Sequence, residues 1–263
     1  MPAPPVPDTP FQPIDPTRLS DAVVAQIEAL ILQGVLRPGE RLPGERELAG
    51  RMGVSRPSLR EALAAMQADG LLITRPGDGV FVVQVLGSAF SPALVRLISR
   101  HPQAADDYLT FRKDLEGLAA ERAAVAAGET DLQVLDRIVQ SMRHAHVSPD
   151  PQIEAALDAD FHMAIVEASH NLMALHMMRA MQDLLRQGML FNRPRIFASP
   201  DLRDRILDQH IAINDALQLR DGPAARAALE DHLDLVARTL IAQRRADDHA
   251  AVARLRLRNR ADP

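Results

Sequence analysis

Cysteine and tryptophan are absent from the 263-residue chain. Without cysteine there are no disulfides, thiolate zinc sites, iron–sulfur clusters or cysteine nucleophiles. The chain also lacks the run of roughly 18 apolar residues that a membrane helix needs, so we expect no membrane contact. Its first ten residues, MPAPPVPDTP, have neither the basic segment nor the apolar stretch of a secretory signal. Together these absences predict a cytoplasmic protein.

The chain has fewer basic residues than acidic ones. The 30 basic residues, of which only Lys113 is a lysine, are outnumbered by 35 acidic ones, and the formal net charge is −5. A protein that binds nucleic acid without sequence preference is basic throughout, so the composition argues against that class. Hydrophobic residues make up 47% of the chain, which is ample for a buried core and too many for a disordered protein.

The first third of the chain predicts three helices followed by a hairpin. A proline-rich segment over residues 1–13 predicts a flexible tail. Apolar residues then recur at helical spacing after Ser20, a good N-cap residue. Two further helical segments and two short β-type runs complete a predicted domain over residues 14–86: helices over Glu45–Met52 and from Ser55 to Gly70, and strands over residues 71–74 and 80–83 around a turn at Arg75–Gly79.

The rest of the chain shows helical patterns and no β signal. Residues 87–102 predict a linker, and residues 103–246 predict an all-helical antiparallel bundle. The expected helices cover residues 104–127, 131–146, 151–169, 171–191, 201–220 and 223–245. Residues 247–263 predict a second flexible tail, in which Arg254, Arg256, Arg258 and Arg260 are expected to be solvated, with a DNA-binding arm as the alternative. The fold class is therefore mainly α.

The segment around Ser55 has the properties of a helix-turn-helix. Gly53 permits a tight turn between two short helices, and Ser55 is placed to cap the helix that follows. Arg56 and Arg60 are four residues apart, so both lie on one face of that helix. Two arginines at a helix N-terminus in a major groove can contact phosphates and guanine edges. The hairpin would form a wing beside this helix.

The ordered set of motifs over residues 17–83 resembles the winged helix-turn-helix of the GntR family of bacterial transcription regulators. It comprises Pro38-Gly39, Leu42-Pro43, Glu45-Arg46-Glu47-Leu48-Ala49, Gly53-Val54-Ser55-Arg56, Arg60-Glu61-Ala62-Leu63, Gly70-Leu71 and Gly77-x-Gly79-x-Phe81-Val82. The resemblance implies DNA contacts from Arg46, Arg56 and Arg60, a phosphate contact from Ser55, and a close approach of the wing at Gly77. The acidic Asp78 in the wing departs from the family pattern.

Three histidines and one aspartate in the helical region have the spacing of a metal site. Asp158 and His162 are four residues apart on one predicted helix face. His210 and His232 lie among apolar residues of two later helices, where a polar ring needs a partner. Four such donors suit Zn²⁺, Ni²⁺ or Mn²⁺ and leave coordination positions open. On spacing alone the metal signal is weak, because a buried histidine is more often simply hydrogen-bonded in the core.

Residues 103–240 resemble the helical effector domain, called FCD, of the FadR-like subgroup of this family. The residues that carry the resemblance are Phe111-Arg112-x-x-Leu115-Glu116-x-x-Ala119-Ala120, Asp158-x-x-Phe161-His162, Ser169-His170-Asn171, His210-x-x-Ile213 and His232. The resemblance implies one divalent transition metal per chain, Zn²⁺ before Ni²⁺ or Mn²⁺, held by Asp158, His162, His210 and His232. It also argues against a long acyl ligand.

Two further residues are candidates for binding an effector. The resemblance implies that Arg112 faces the cavity near the metal, where its guanidinium would grip a carboxylate; by spacing alone it could equally form a surface pair with Glu116. Asn214 lies one helical turn after His210 and could hydrogen-bond a hydroxyl group.

These observations predict a DNA-binding regulator, a homodimer on a short inverted repeat, controlled by a small hydroxy-, dicarboxylic or sugar acid. Repression relieved by the acid is the expected mode. Two alternatives remain. One is a metal-dependent enzyme, for which Glu167 is a poorly placed general base; the other is a regulator whose metal is purely structural.

Overall fold

The chain divides into two compact units, residues 1–87 and residues 88–263. A computed structural model of the chain describes residues 16–83, 94, 97, 98, 101–186 and 199–261. The predicted tail over residues 1–13 and most of the predicted linker over residues 87–102 lie outside the described residues. Within the described part of the chain, no helix is long and apolar enough to cross a membrane.

The first unit has the predicted order of three helices and a hairpin. Its elements are α1 (Pro16–Leu32), α2 (Glu45–Met52), α3 (Arg56–Ala68), β1 (Leu72–Arg75) and β2 (Gly79–Val82). The start of α1 differs from the prediction, because Ser20 is only 4% exposed and lies inside the helix rather than capping it. Proline is well tolerated in the first turn of a helix, which allows α1 to begin at Pro16.

The hairpin is antiparallel, with Leu72 opposite Val82 and Arg75 opposite Gly79. A further stretch of backbone extends it, since Arg41 forms an isolated bridge with Phe81. The Leu42 amide donates to the Val80 carbonyl at 2.8 Å. The wing is thereby fastened to the segment that precedes α2. The core of this unit joins α1 and α3 to the hairpin through Val23, Ile27, Leu59, Met66, Leu72 and Val82.

All the elements that the described residues of the second unit form are helices. Its elements are α4 (Pro102–Ala126), α5 (Glu129–Val147), α6 (Pro151–Ala168), α7 (Leu172–Arg186), α8 (Pro200–Gln218) and α9 (Gly222–Ala261). The largest core cluster is shared by α4, α5, α6, α8 and α9. Phe161 and Ile165 on α6 are fully buried in it, as is Leu229 on α9. Residues 187–191 of the predicted helix over 171–191 lie outside the described residues.

The last helix corrects one prediction. Residues 247–261, which were expected to be a flexible tail, continue α9. The physical reason lies in the sequence, which has no glycine or proline between Pro223 and Pro263 and is rich in alanine and arginine, both strong helix formers. Arg254 and Arg256 are exposed on this extension.

Candidate metal centre and nucleic-acid interface

The turn between α2 and α3 is built as predicted. Gly53 ends α2 with φ of 65°, in the left-handed region that glycine adopts without strain. The Ser55 hydroxyl caps α3 by accepting a hydrogen bond from the Ser58 amide at 3.2 Å. The first turn of α3 is therefore fixed, and with it the positions of Arg56 and the residues that follow. A contact between Ser55 and a phosphate remains a prediction.

Arg56 and Arg60 share an acidic partner that the sequence motifs did not indicate. Glu45, the first residue of α2, lies 2.7 Å from the Nε of Arg60 and 3.8 Å from an Nη of Arg56. Both arginine side chains are more than half exposed, and Arg46 is exposed as well. The face is thus accessible, but its charge is partly neutralised by Glu45. The i,i+4 spacing of the arginines gave no sign of this partner.

A second charge pairing joins the turn of the wing to the segment that precedes α2. Gly77 has φ of 77°, and a glycine there leaves the turn free of side-chain bulk. The acidic Asp78 beside it lies 3.9 Å from the Nη1 of Arg41, and both side chains are more than half exposed. Arg41 therefore offsets the negative charge that Asp78 places on the wing. Neither the wing motif nor the spacing of the arginines pointed to this role for Arg41.

The four predicted metal-ligating residues converge from three helices. Asp158 and His162 lie on α6, His210 on α8 and His232 on α9. None of them is more than 2% exposed. Each offers one ligand atom, and these four atoms all lie within 4.8 Å of one another. The predicted cluster therefore exists as a spatial group.

The distances inside the cluster fit a common divalent ion. The Nε2 atoms of His162 and His232 are 3.2 Å apart, and Oδ1 of Asp158 lies 3.7 Å from His162 and 3.3 Å from His210. With metal–nitrogen distances of about 2.0–2.1 Å, neighbouring ligand atoms are separated by roughly 2.8–3.0 Å in an octahedral site and 3.3–3.4 Å in a tetrahedral one. Two of the three separations match this range, and the 3.7 Å between Asp158 and His162 would shorten slightly around an ion. Three imidazoles and one carboxylate are also the donor types that such ions prefer. The residues present fit a transition metal.

Glu116 on α4 orients the first of these histidines. Its Oε2 lies 2.5 Å from Nδ1 of His162, and its Oε1 accepts a hydrogen bond from Nε of Arg112 at 2.5 Å. Burial tends to raise the pKa of Glu116, but the charge of Arg112 and the hydrogen bonds from Arg112 and His162 outweigh it and lower that pKa to about 2. Burial lowers the pKa of His162, which favours the neutral ring that a metal requires.

His232 has an orienting partner of its own. Its Nδ1 lies 3.2 Å from Oε1 of Gln209, which can accept a hydrogen bond from that nitrogen. Ligating histidines commonly donate their second ring N–H to an oxygen in this way, which fixes the tautomer. Glu116 and Gln209 were both missed as site residues. Only Glu116 had a signal in the sequence, as the residue four positions after Arg112.

Arg112 is neither on the surface nor among the ligand atoms. It forms the pair with Glu116, but its side chain is only 2% exposed. Its Nη2 is buried and makes no hydrogen bond to any described residue. Through Glu116 it lies on the Nδ1 side of His162, whereas the cluster gathers on the Nε2 side. Its contact with an effector remains a prediction.

Asn214 is buried one turn after His210, and its amide group is engaged elsewhere. It donates to Asp136 at 3.5 Å and accepts from Gln218 at 3.3 Å. An effector hydroxyl would have to compete with these partners, so its predicted role gains no support from its surroundings.

A small cavity of about 20 Å³ opens beside the cluster. Two of the ligand residues, Asp158 and His210, line it together with Glu154, Arg203 and four others: Met142, His146, Ile206 and Leu207. Glu154 and Arg203 form a buried ion pair, with Nε of Arg203 at 2.7 Å from Glu154 Oε2. Neither residue was predicted from the sequence as part of the site, although Glu154 precedes Asp158 by one helical turn.

Fold and site together are those of a regulator with a winged helix-turn-helix and a helical domain in which a buried histidine and aspartate cluster could hold a metal. Residues 19–82 match the family model described as "Bacterial regulatory proteins, gntR family", and residues 107–235 match the FCD domain. The chain belongs to the GntR family of transcription regulators, in the group that carries an FCD domain.

Two relatives from Escherichia coli K12 are similar over most of their length. The "Putative L-lactate dehydrogenase operon regulatory protein" is 36% identical over 91% of this chain and 92% of its own. The "Glc operon transcriptional activator" is 31% identical over 84% and 89%. A solved structure, "Streptococcus agalactiae GntR", shares the fold with a TM-score of 0.52 and 23% identity over 84% of this chain and 99% of that one. These matches are to transcription regulators and not to enzymes.

Proposed function

We propose that this DNA-binding regulator holds a divalent transition metal at Asp158, His162, His210 and His232, and that a small organic acid bound at this site controls its affinity for operator DNA. The observation that carries the proposal is the convergence of four buried donors within 4.8 Å, two of them oriented by Glu116 and Gln209. When bound, the metal would supply open coordination positions for a carboxylate or hydroxyl oxygen.

The protein's own groups would prepare the site for an anion. Glu116 directs the Nε2 of His162 into the cluster, and Arg112 keeps Glu116 ionised. The buried Nη2 of Arg112 is the donor that we assign to the acid's carboxylate, a contact that requires the arginine to reorient from the Nδ1 side of His162 towards the cluster when the acid binds. The name of the relative from the L-lactate dehydrogenase operon makes a short hydroxy acid the first candidate.

The regulator would act as a homodimer that reads a short inverted repeat with two copies of α3. An acid that binds one arrangement of the helical domain more tightly would shift the population of DNA-binding-competent dimers. Release of DNA by the acid, and hence repression, is our proposed mode. As a chromosomal regulator, the protein would work in the bacterial cytoplasm.

Operator release as a function of acid and metal tests this proposal. An operator is first selected from random duplex DNA by the zinc-loaded protein, and fluorescence anisotropy then follows its release as L-lactate, succinate and D-gluconate are added. We expect at least one acid to release DNA from the zinc-loaded protein and none from the chelated protein. Equal responses with and without metal would contradict the proposal.

The same titration separates the proposed role from a structural metal. If the metal only stabilises the bundle, chelation lowers the melting temperature but no acid alters DNA binding at any metal content.

The enzymatic alternative has lost its support, since the matched family consists of transcription regulators and Glu167 pairs with Arg179 at 3.4 Å.

A further inference from the structure

The Glu154–Arg203 ion pair ties three helices together at the cavity beside the metal-ligand cluster. Glu154 lies in the first turn of α6 and Arg203 in the first turn of α8. Besides its contacts to Glu154, Arg203 donates from Nη2 to the carbonyl of His146 on α5 at 3.0 Å. Both side chains are less than 10% exposed. Separating this pair would leave each buried charge without its compensating opposite charge, which makes the pair a stiff part of the cavity wall.

The pair shares its cavity with the ligands Asp158 and His210. Glu154 precedes Asp158 by four residues and Arg203 precedes His210 by seven, so on each helix the two residues lie along one face. A cavity of about 20 Å³ has room for little more than one water molecule, which needs about 10–15 Å³ of such space. Any acid must therefore enlarge it.

The other side chains that line the cavity differ from the ion pair in how easily they can move. Met142 and Leu207 also line the cavity, and a methionine side chain adapts readily because it is unbranched and flexible. Their rearrangement can create room for a few extra heavy atoms next to Asp158 and His210. A longer acid that extends towards Glu154 would contact the ion pair, which is also held by the hydrogen bond from Arg203 to the His146 carbonyl.

We propose that the Glu154–Arg203 pair is the specificity wall of the effector cavity and restricts the acid to short hydroxy monocarboxylates. The inference rests on the proposed function, because it concerns the same cavity. Neither residue binds the metal or the carboxylate; together they set the length of the molecule that fits. Acids with longer chains are excluded because they would have to break the pair.

The test compares affinities of three acids for the zinc-loaded full-length protein by isothermal titration calorimetry. The probes are L-lactate, succinate and D-gluconate. For the wild type we expect L-lactate to bind at least about tenfold more tightly than the two longer acids, the scale on which a pocket discriminates by size. In the double variant Glu154→Ala/Arg203→Ala the preference should fall to about threefold or less.

A second double variant separates size from charge. Glu154→Gln/Arg203→Met removes both charges and keeps most of the volume, so its preference should also fall to about threefold or less, because flexible neutral side chains no longer resist displacement. Zinc affinity, measured with the metal alone against a chromophoric chelator, should be unchanged in both variants. If the alanine variant does not fold, Glu154→Asp, which retracts the carboxylate by one methylene, should relax the preference by at least about threefold.

Three outcomes would overturn the inference. One is a wild-type protein that binds succinate or D-gluconate as tightly as L-lactate. The second is an unchanged preference in a folded Glu154→Ala/Arg203→Ala variant, or in Glu154→Asp. The third is a wild type that binds none of the acids, which would refute the proposed function and the specificity wall together. Only in the first two does the proposed function survive.

Discussion

Oε2 of Glu116 lies 2.5 Å from Nδ1 of His162, and so determines which nitrogen of that ring faces the other three candidate ligands. A carboxylate at Nδ1 holds the ring proton there, which leaves the lone pair of Nε2 directed at Asp158 and His232. Because Arg112 pairs with the same carboxylate, the arginine and the metal-ligand cluster are linked through one buried side chain.

Replacing Glu116 should weaken metal binding without removing a ligand. In Glu116→Gln the amide no longer balances the charge of Arg112, and its NH₂ group must face a donor, either Arg112 or the Nδ1–H of His162. Loss of such an orienting partner lowers metal affinity by about 10–100-fold. Competition with a chromophoric chelator measures this. Glu121→Gln, on the same helix but partly exposed and paired with Arg226, is the matched control. Wild-type zinc affinity in Glu116→Gln would contradict the orienting role.

Changing Arg112 should separate the acid response from DNA binding. Arg112→Lys keeps a positive charge near Glu116, but an ammonium cannot reproduce the forked guanidinium contact. We expect acid affinity to fall by at least about 1.5–3 kcal/mol, or more than tenfold, while operator affinity is retained. Arg112→Ala should lose the response too, and should also be less stable, since Glu116 would be left without its buried partner.

The exposed Arg122→Lys on the same helix provides the control for both Arg112 variants. Operator release by the acid panel is the readout, with thermal melting to confirm folding. If Arg112→Lys releases DNA at the acid concentration that suffices for the wild type, the carboxylate contact lies elsewhere.

Specific DNA binding should depend on the two arginines of α3. Arg56→Ala and Arg60→Ala are each expected to weaken operator binding by about 1–3 kcal/mol if the side chains contact base edges. A mobility-shift titration at fixed salt measures the loss, and Arg122→Ala in the helical unit is the control. Undiminished operator affinity in both variants would refute the assignment.

Neutralising Glu45 should strengthen non-specific DNA binding, whereas removing either arginine should weaken operator binding. The carboxylate pairs with Arg60 and lies near Arg56, so Glu45→Gln frees positive charge and removes a repulsion from phosphates. We expect several-fold tighter binding to unrelated duplex DNA, a steeper dependence on salt, and a smaller ratio of specific to non-specific affinity. Glu47→Gln, in the same turn but paired with Arg51, should change less. Equal effects of the two variants would show that the pairing has no special role.

The helix-turn-helix and the metal-ligand cluster were accessible from the sequence for different reasons. The order of α2, α3 and the hairpin follows from local signals, such as Gly53 at a turn and Ser55 at a cap. The convergence of His210 and His232 with Asp158 is not local. Helical spacing could place each residue on a face, but only the resemblance to a family with these residues indicated that the faces meet.

The site residues that could not be predicted from the sequence form ion pairs or hydrogen bonds with residues of a different helix. Glu45 with Arg60, Gln209 with His232 and Glu154 with Arg203 are each brought together by packing between different elements, for which a single sequence carries no periodic signal. The helical continuation of α9 was missed for another reason. Charged, alanine-rich ends are compatible with either a helix or a flexible tail, and local helix propensity prevailed.

The most direct test of the metal centre is the metal content of the purified protein. Elemental analysis of wild type isolated without chelators should find about one transition-metal ion per chain, and His232→Ala should retain far less. Chelation should lower the melting temperature of the wild type and zinc should restore it, because an ion that binds only the native state adds stability. No bound metal, together with melting that is indifferent to chelation and zinc, would contradict a metal centre at Asp158, His162, His210 and His232.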